Sequence, residues 1–335
     1  MASTIYDIAE KAGVSIATVS RVFSQSSNVS EKTREKVLKI AESVGYHPQA
    51  YAQGLASKKS NTIMAVVPVI SNYFFMEILG GIQDKLTKLG YELTIYNVTG
   101  TGEYFFQQVE HVIRRRAAEG YLFISIHLNP NQWDRLQKYP VPITLIDEFY
   151  EGFDSVSVDN IQGAYKATKE LIDSGYKKIG MISALASSKP IKDRIKGYEL
   201  AFEDSELDYD PSLVISVDTE YRDGFTEKGG YEAMKQMIEE HPEVDACFCA
   251  SDIQAVGALK AMDDLEFSIP LIGYDDIEIS EYIGLSTIRQ PMRDMGAIAT
   301  QTLLERMNND KKAISQTLYS PQLILRKSTN GILKH

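Results

Sequence analysis

The sequence predicts a small all-α head followed by a larger α/β body built on parallel sheets. Three observations carry that reading. Three short amphipathic helical patterns, separated by turn signals, occupy the N-terminal stretch up to Pro48. From Asn61 onward, short apolar strand-like runs alternate with helical stretches, which implies parallel sheets with right-handed crossovers. The charge divides at the same place: residues 1–60 hold eight Lys/Arg and five Asp/Glu, a balance of +3, whereas the 335-residue chain as a whole carries −11. One end can therefore approach a polyanion that repels the rest.

In the head, Thr4 can cap the first helix, with Asp7 three residues on as the reciprocal partner. Ile5, Ile8, Ala9 and Ala12 form its apolar stripe, and Gly13 supplies a turn. Ser15 can cap the second helix, SIATVSRVF, which turns Val19, Val22 and Phe23 inward. Ser30 can cap the third, with Val37, Ile40, Ala41 and Val44 inward and Gly45 ending it. Helix, glycine-containing turn, helix is the spacing of a helix-turn-helix, whose second helix lies in the major groove of DNA. Ile16, Ala17, Ser20 and Arg21 are its candidate outward residues. Arg21 can grip a guanine by two hydrogen bonds or hold a phosphate, and Ser15, Thr18 and Ser20 can bind phosphate oxygens. Thr4 completes the expected DNA-binding set of the head. A purely structural three-helix module is the alternative reading of the same periodicity.

In the body, strands are expected at 62–69, 91–98, 120–126, 143–147, 155–159, 177–183, 213–218, 246–251, 270–276 and 286–290. Helices are expected between them, among others at 74–90, 160–175, 224–241 and 252–265. In open sheets of this kind ligands bind beyond the carboxyl ends of the strands. Those ends read PVISNYFF, LIDEFY, SVDN, CASD and GYDD, rich in Asp, Asn, Ser and aromatics. Such a lining suits a polyhydroxylated or heterocyclic ligand. No phosphate loop, dinucleotide fingerprint, GxSxG elbow or HExxH pair occurs, and the five histidines show no ligand spacing. No catalytic centre, metal or cofactor is therefore expected. Cys247 and Cys249 alternate along one strand and are expected as buried, reduced thiols. No apolar run approaches the ~20 residues of a membrane helix. The start MASTIYDIAE lacks the basic-then-apolar pattern of a secretory signal, so a cytoplasmic protein is expected.

The head and linker, TIYDIAEKAGVSIATVSRVF through HPQAYAQGLASKKSNTI, are followed in order by SNYFF, SVSVDN, GYKKIGMIS, DRIKGYELAF, CASDIQAVGALKAM, LIGYDD and STIRQP. Over nearly its whole length the chain resembles the lactose/galactose repressor (LacI/GalR) family of bacterial transcription regulators. The resemblance implies a DNA-binding head at 1–47, a hinge linker at 48–60 and an effector-binding body at 61–335. That body would be like the periplasmic sugar-binding proteins: two lobes joined by three crossover strands, with a small molecule between them. The first lobe would span about 61–160 and 290–318, the second about 161–289 and 319–330. Arg194, in DRIKGYELAF, would hydrogen-bond the effector, with Asp275, the first Asp of GYDD, opposite it. Asp252 would contribute as in sugar-responsive members, and Asn72, Phe74, Phe75 and Phe225 would form the walls. Each has a plainer reading: Asp252 as a helix cap, Arg194 paired at the surface with Asp193 or Glu199, the phenylalanines as core. Asp276 is expected to serve structure.

By the same resemblance the linker forms a short helix on operator DNA, with Leu55 wedged into the minor groove and Lys58 and Lys59 on flanking phosphates. A plain tether is the alternative. Gln53 stands where many relatives have arginine, and Gly54 weakens such a helix by about 1 kcal/mol relative to alanine, so it is expected to form only on the operator. Tyr73 stands where the family usually has proline, and the runs before GYDD and before RQP are shorter than usual. The C-terminal STNGILKH is too short for the heptad coil of tetrameric relatives, so a homodimer is expected. The implied function is repression of a carbohydrate-utilisation operon at a pseudo-palindromic operator, relieved by a sugar or sugar derivative. A corepressor-dependent regulator answering to a nucleobase or a phosphocarrier protein is the alternative mode. A sugar-binding transport protein is the alternative of another class.

Overall fold

The computed structural model of the protein describes residues 4–23, 28–46, 60–70, 72–184, 188–216 and 224–330. The chain divides into a small N-terminal unit and a large second one. The small unit holds three helices, α1 (Ile5–Ala12), α2 (Ile16–Phe23) and α3 (Glu31–Ser43). Their starts follow the local chemistry of the sequence. The Asp7 amide donates to Thr4 Oγ1 while the Thr4 amide donates to the Asp7 carboxylate at 2.7 Å, a reciprocal capping box. Ser15 Oγ accepts from the Thr18 amide at 3.1 Å, and Ser30 Oγ from the Thr33 amide at 3.3 Å. Gly13 ends α1 in the left-handed region, at φ 61°, which costs a residue without a Cβ little. Ile8, Ala9, Ala12, Val19, Val22, Val37 and Ala41 form the core, with Ile5, Phe23, Ile40 and Val44 packed around it.

The large unit is built on two six-stranded sheets. The first contains β1 (Thr62–Val67), β2 (Glu92–Asn97), β3 (Gly120–Ile124), β4 (Ile143–Ile146) and β5 (Asp154–Val158), joined late in the chain by β11 (Gln316–Tyr319), in the order β11-β5-β4-β3-β1-β2. The second contains β6 (Ile179–Ser183), β7 (Val214–Ser216), β8 (Ala246–Cys249), β9 (Leu271–Asp275), β10 (Ser286–Arg289) and β12 (Gln322–Ile324), in the order β12-β10-β9-β8-β6-β7. Parallel ladders run through both sheets; β10 and β12 run antiparallel, with Thr287 opposite Ile324. The central strands are buried on both faces, as parallel sheets require, and this is why they read as continuous apolar runs. β11 and β12 lie outside the ten predicted runs. Both are edge strands whose residues are exposed or half-buried, so neither needs an apolar run.

Helices α4 (Tyr73–Leu89), α5 (Gly102–Arg115), α6 (Pro130–Leu136) and α12 (Met292–Asn308) accompany the first sheet. Helices α7 (Asn160–Asp173), α8 (Lys189–Asp204), α9 (Glu227–Glu240), α10 (Asp252–Asp264), α11 (Glu278–Ile283) and α13 (Lys327–Asn330) accompany the second. α4 packs on α12, α7 on α8, and α9 on α10. The last pair meets backbone to backbone: a Cβ on Gly257 would lie 1.8 Å from the Glu227 carbonyl oxygen, and one on Gly230 would lie 2.0 Å from that of Gln254.

Two lobes result, and the chain crosses between them three times: at Asp159 after β5, at Gln290–Pro291 after β10, and at Ser320–Pro321 after β11. Ile253 and Ile277 of the second lobe join the apolar cluster of the first, beside Phe74 and Phe75. Cys247 and Cys249 are buried free thiols on β8, the latter with its pKa raised well above the usual value by burial. No helix among the described residues is long and apolar enough to cross a membrane.

Candidate functional site

The two lobes face each other across a cleft made from the ends of strands and the starts of helices. Ser125 follows β3, Asp147 follows β4 and Asp275 ends β9; all three border the cleft. All three have left-handed backbones, with φ of 50°, 59° and 121°. A non-glycine residue in such a region costs about 1–3 kcal/mol and persists only where its surroundings over-determine it, typically at ligand sites.

Arg194 enters from α8 and is almost fully buried. Its Nε donates to Asn160 Oδ1 at 2.9 Å and its Nη1 to the Ala250 carbonyl at 2.5 Å. The guanidinium lies 3.7 Å over the Tyr274 ring and 5.9 Å from that of Phe225. The surface pairing open to it in the sequence does not form: Asp193 pairs with Lys189 and Glu199 with Lys196. Asp275 accepts from Gln290 Nε2 at 2.6 Å. Burial pushes its carboxyl up to about 8, against the opposing pull of the Arg194 charge. Burial likewise raises the carboxyl of Asp147. One of its oxygens accepts from Ser125 Oγ at 2.7 Å, while Oδ1 is buried without a partner. Beside it, His127 Nδ1 lies 2.7 Å from Glu148 Oε2.

Asn72 caps α4, its Oδ1 accepting from the Phe74 amide at 2.9 Å. This cap forms with Tyr73 at the position where proline was the family norm. Phe74 and Phe75 meet edge to face at 5.4 Å between ring centroids. Each borders the cleft and also belongs to the core, so the wall and core readings hold together. Phe225 closes the side near Arg194.

The structure thus brings Asn72, Phe74, Phe75, Arg194, Phe225 and Asp275 to one cleft, and it leaves Asp252 out. The Asp252 carboxylate is fully buried and does not border the cleft, and both of its oxygens accept hydrogen bonds. Ser280 Oγ and Thr287 Oγ1 each donate to it at 2.6 Å, and the Ile277 amide donates at 3.0 Å. Asp252 therefore ties α10 to α11 and β10 instead of facing a ligand, and even the helix cap belongs to Ser251. Asp276 is also structural, held by Arg289 at 2.5 Å and Arg326 at 2.7 Å. Ser125, His127, Asp147, Ser188 and Pro190 line the cleft without having been singled out in the sequence. Asp147 had a visible signal, as the acidic end of the strand ITLID.

In the head, α2 exposes Ser15, Ile16, Ala17 and Arg21, with Thr18 and Ser20 half-buried beside them. Val19 and Val22 point the opposite way, into the core. Thr18 and Ser15 pair their hydroxyls at 2.9 Å. Thr4 is exposed, with its hydroxyl engaged by Asp7 in the cap. Leu55, Lys58 and Lys59 lie outside the described residues.

Comparison with known proteins finds matches to both parts of the chain. Residues 4–49 match the profile of the bacterial regulatory proteins, lacI family, and residues 168–329 match that of a periplasmic binding protein-like domain. Catabolite control protein A of Priestia megaterium is 33% identical over 336 residues, covering 97% of this chain and 99% of the relative. The ribose operon repressor of Haemophilus influenzae is 30% identical over 334 residues, covering 97% and 98%. A Lac repressor dimer bound to operator and the anti-inducer ONPF superposes with a TM-score of 0.83 at 26% identity, covering 98% of this chain and 99% of that one. With a helix-turn-helix head, a two-lobed α/β body and full-length identity at this level, the chain belongs to the lacI family of DNA-binding bacterial transcription regulators.

Proposed function

We propose that the protein is a dimeric, effector-controlled repressor of a carbohydrate-utilisation operon. Its head, residues 1–47, reads one half of a pseudo-palindromic operator through α2, with Ile16, Ala17 and Ser20 in the major groove and Arg21 beside them on a phosphate. Ser15, Thr18 and Thr4 lie on the backbone. A two-fold protein matches a two-fold site. Residues 48–60 form the linker, with Leu55 as the minor-groove wedge and Lys58 and Lys59 on the phosphates beside it. The body, 61–335, binds a sugar or sugar derivative between its lobes and works by binding, not by catalysis. Its place of action is the cytoplasm, where the operator is.

One observation carries the sugar reading: Arg194 and Asp275 of the second lobe line the same cleft as Asp147 and Asn72 of the first, together with Phe74, Phe75 and Phe225. A fork of donors, two acid groups and apolar faces is what a ring with C–H faces and a hydroxyl rim requires. Because the groups come from both lobes, an effector there favours one lobe arrangement and changes DNA affinity by linkage. The test is a thermal-shift panel of sugars, sugar phosphates and nucleobases, followed by operator retardation with each compound that stabilises the protein. Release of operator by a stabilising sugar supports induction. Tighter operator binding reverses the sign, and stabilisation by nucleobases alone refutes the sugar.

A further inference from the structure

Helix α5 runs out in three consecutive arginines, Arg114, Arg115 and Arg116, all exposed. They form a cationic patch on an acidic body: residues 1–60 carry +3 of a chain at −11, which leaves the rest at −14. We propose that this patch is a second DNA contact, made by the body itself, which holds backbone phosphates next to the place where the linker meets the operator. The inference rests on the DNA-binding reading above.

The patch stands at the root of the linker. β1, β3, β4, β5 and β11 run parallel, so their starts share one edge of the sheet. The linker joins that edge at β1, and the arginines precede β3, the strand paired with it, with Ile63 opposite Gly120. The two segments are bonded there. The Asn61 amide donates to Glu119 Oε1 at 2.6 Å, and the Glu119 amide donates to the Thr62 carbonyl at 2.9 Å. Lys138, before β4, and Lys311, before β11, are exposed along the same edge.

The three guanidinium groups are also available. Among the described residues no carboxylate pairs with any of them. The acids nearest in the chain are engaged elsewhere: Glu119 with the Asn61 amide, and Glu110 with Arg135 and the Tyr139 hydroxyl, each at 3.0 Å. A guanidinium in that state can fork onto a phosphate.

A solvated helix end, whose cations offset the helix dipole, is the plainer reading of the run. That effect falls off within the last turn. Arg116 lies beyond the helix, at φ 49°, in the left-handed region where a helix end ordinarily places glycine. The dipole gives no reason for an arginine in that conformation, whereas a phosphate backbone does. Phosphate contacts carry no base information. The patch therefore adds affinity and salt dependence without changing the sequence the heads prefer.

The test uses the full chain with two duplexes, one of random sequence and one carrying a site selected by the protein. Binding is read by fluorescence anisotropy over about 50–200 mM salt. A triple variant, Arg114→Ala with Arg115→Ala and Arg116→Gly, is expected to lose tenfold or more in affinity for both duplexes at the lowest salt. Its slope of log affinity against log salt is expected to be shallower by about 2–3 for each protomer bound. A matched variant, Lys196→Ala with Lys228→Ala and Lys260→Ala, removes the same charge from the second lobe and is expected to leave both nearly unchanged. All six positions are exposed, so the fold is retained. An unchanged slope in the arginine variant, while Arg21→Ala still weakens binding, overturns the body contact and leaves the DNA-binding reading standing. Equal losses in the two triple variants reduce the effect to net charge and overturn it as well. Failure of the wild type to bind either duplex overturns the DNA-binding reading and this inference with it.

Discussion

Arg194 Nε donates to Asn160 Oδ1 at 2.9 Å, joining the buried cation of the cleft to the first residue after a crossover between the lobes. Asp275 is joined in the same way to Gln290, at a second crossover. Both groups proposed to touch the effector are therefore bonded to the segments about which the lobes turn. Arg194→Ala is expected to weaken sugar binding about 100-fold, as the loss of a charge-assisted hydrogen bond worth roughly 1.5–3 kcal/mol predicts at its upper end. Arg194→Lys should rescue little, because lysine lacks both the planar fork and the stack on Tyr274. Asn160→Ala leaves the cation in place and is expected to cost about tenfold in affinity. Calorimetry with the sugar that stabilises the wild type separates the three.

Asp275 gives the body a pH dependence of definite sign. Its carboxyl titrates at about 8 when folded, against an ordinary value of 3.8, so the folded state keeps a proton that the unfolded chain releases. Stability therefore falls as pH rises between these values, by at most about 1.4 kcal/mol per unit from this one group. Asp252, raised by burial to about 6, adds to the fall over the lower part of the range only. Urea melts without ligand should show wild-type stability declining from pH 6.5 to 8 and Asp275→Asn nearly flat there. A parallel decline in both proteins would remove Asp275 as the cause.

Asp252 separates structure from binding. Asp252→Ala strips partners from Ser280, Thr287 and the Ile277 amide together and should destabilise the body by about 3 kcal/mol or more. Gly273→Ala should act alike, because its Cβ would lie 2.1 Å from Asp252 Oδ1. In both variants, sugar affinity measured on folded protein should stay within about threefold of wild type. A selective loss of affinity without loss of stability would place Asp252 back in the binding site.

Much of this was legible in the residue pattern, for physical reasons. Thr4, Ser15 and Ser30 mark helix starts because only such side chains satisfy the free amides there. The ten buried-strand runs stand out because parallel strands are covered on both faces. The cleft residues Arg194 and Asp275 are legible through family resemblance, and local pattern alone does not distinguish Asp275 from Asp252. Both are acidic residues beside a strand end. What parts them is tertiary: Ser280 and Thr287, 28 and 35 positions away, close around one of them. His127 and Ser125 are not legible in the sequence for the same reason, since nothing nearby in the chain announces that Asp147 and Arg194 will stand opposite.

The head makes a separate prediction. Arg21, exposed on the last turn of α2, is proposed to hold a phosphate as its main contact. Arg21→Ala should weaken binding about equally across DNA sequences and reduce the slope of log affinity against log salt by about one. An unchanged slope with relaxed preference at one base pair would assign it to a guanine instead.

A sugar closing on Arg194 and Asp275 is proposed to control the grip of two heads on one symmetric site. This control is tested most directly by selecting a binding site from random duplex DNA with the full-length protein. Fluorescence anisotropy on that site, with and without the stabilising sugar, then compares wild type with Arg194→Ala. The prediction is an enriched pseudo-palindrome, a tenfold or greater fall in wild-type affinity on adding the sugar, and no change for Arg194→Ala. An enriched site without two-fold symmetry, or the same sugar effect in both proteins, would contradict it.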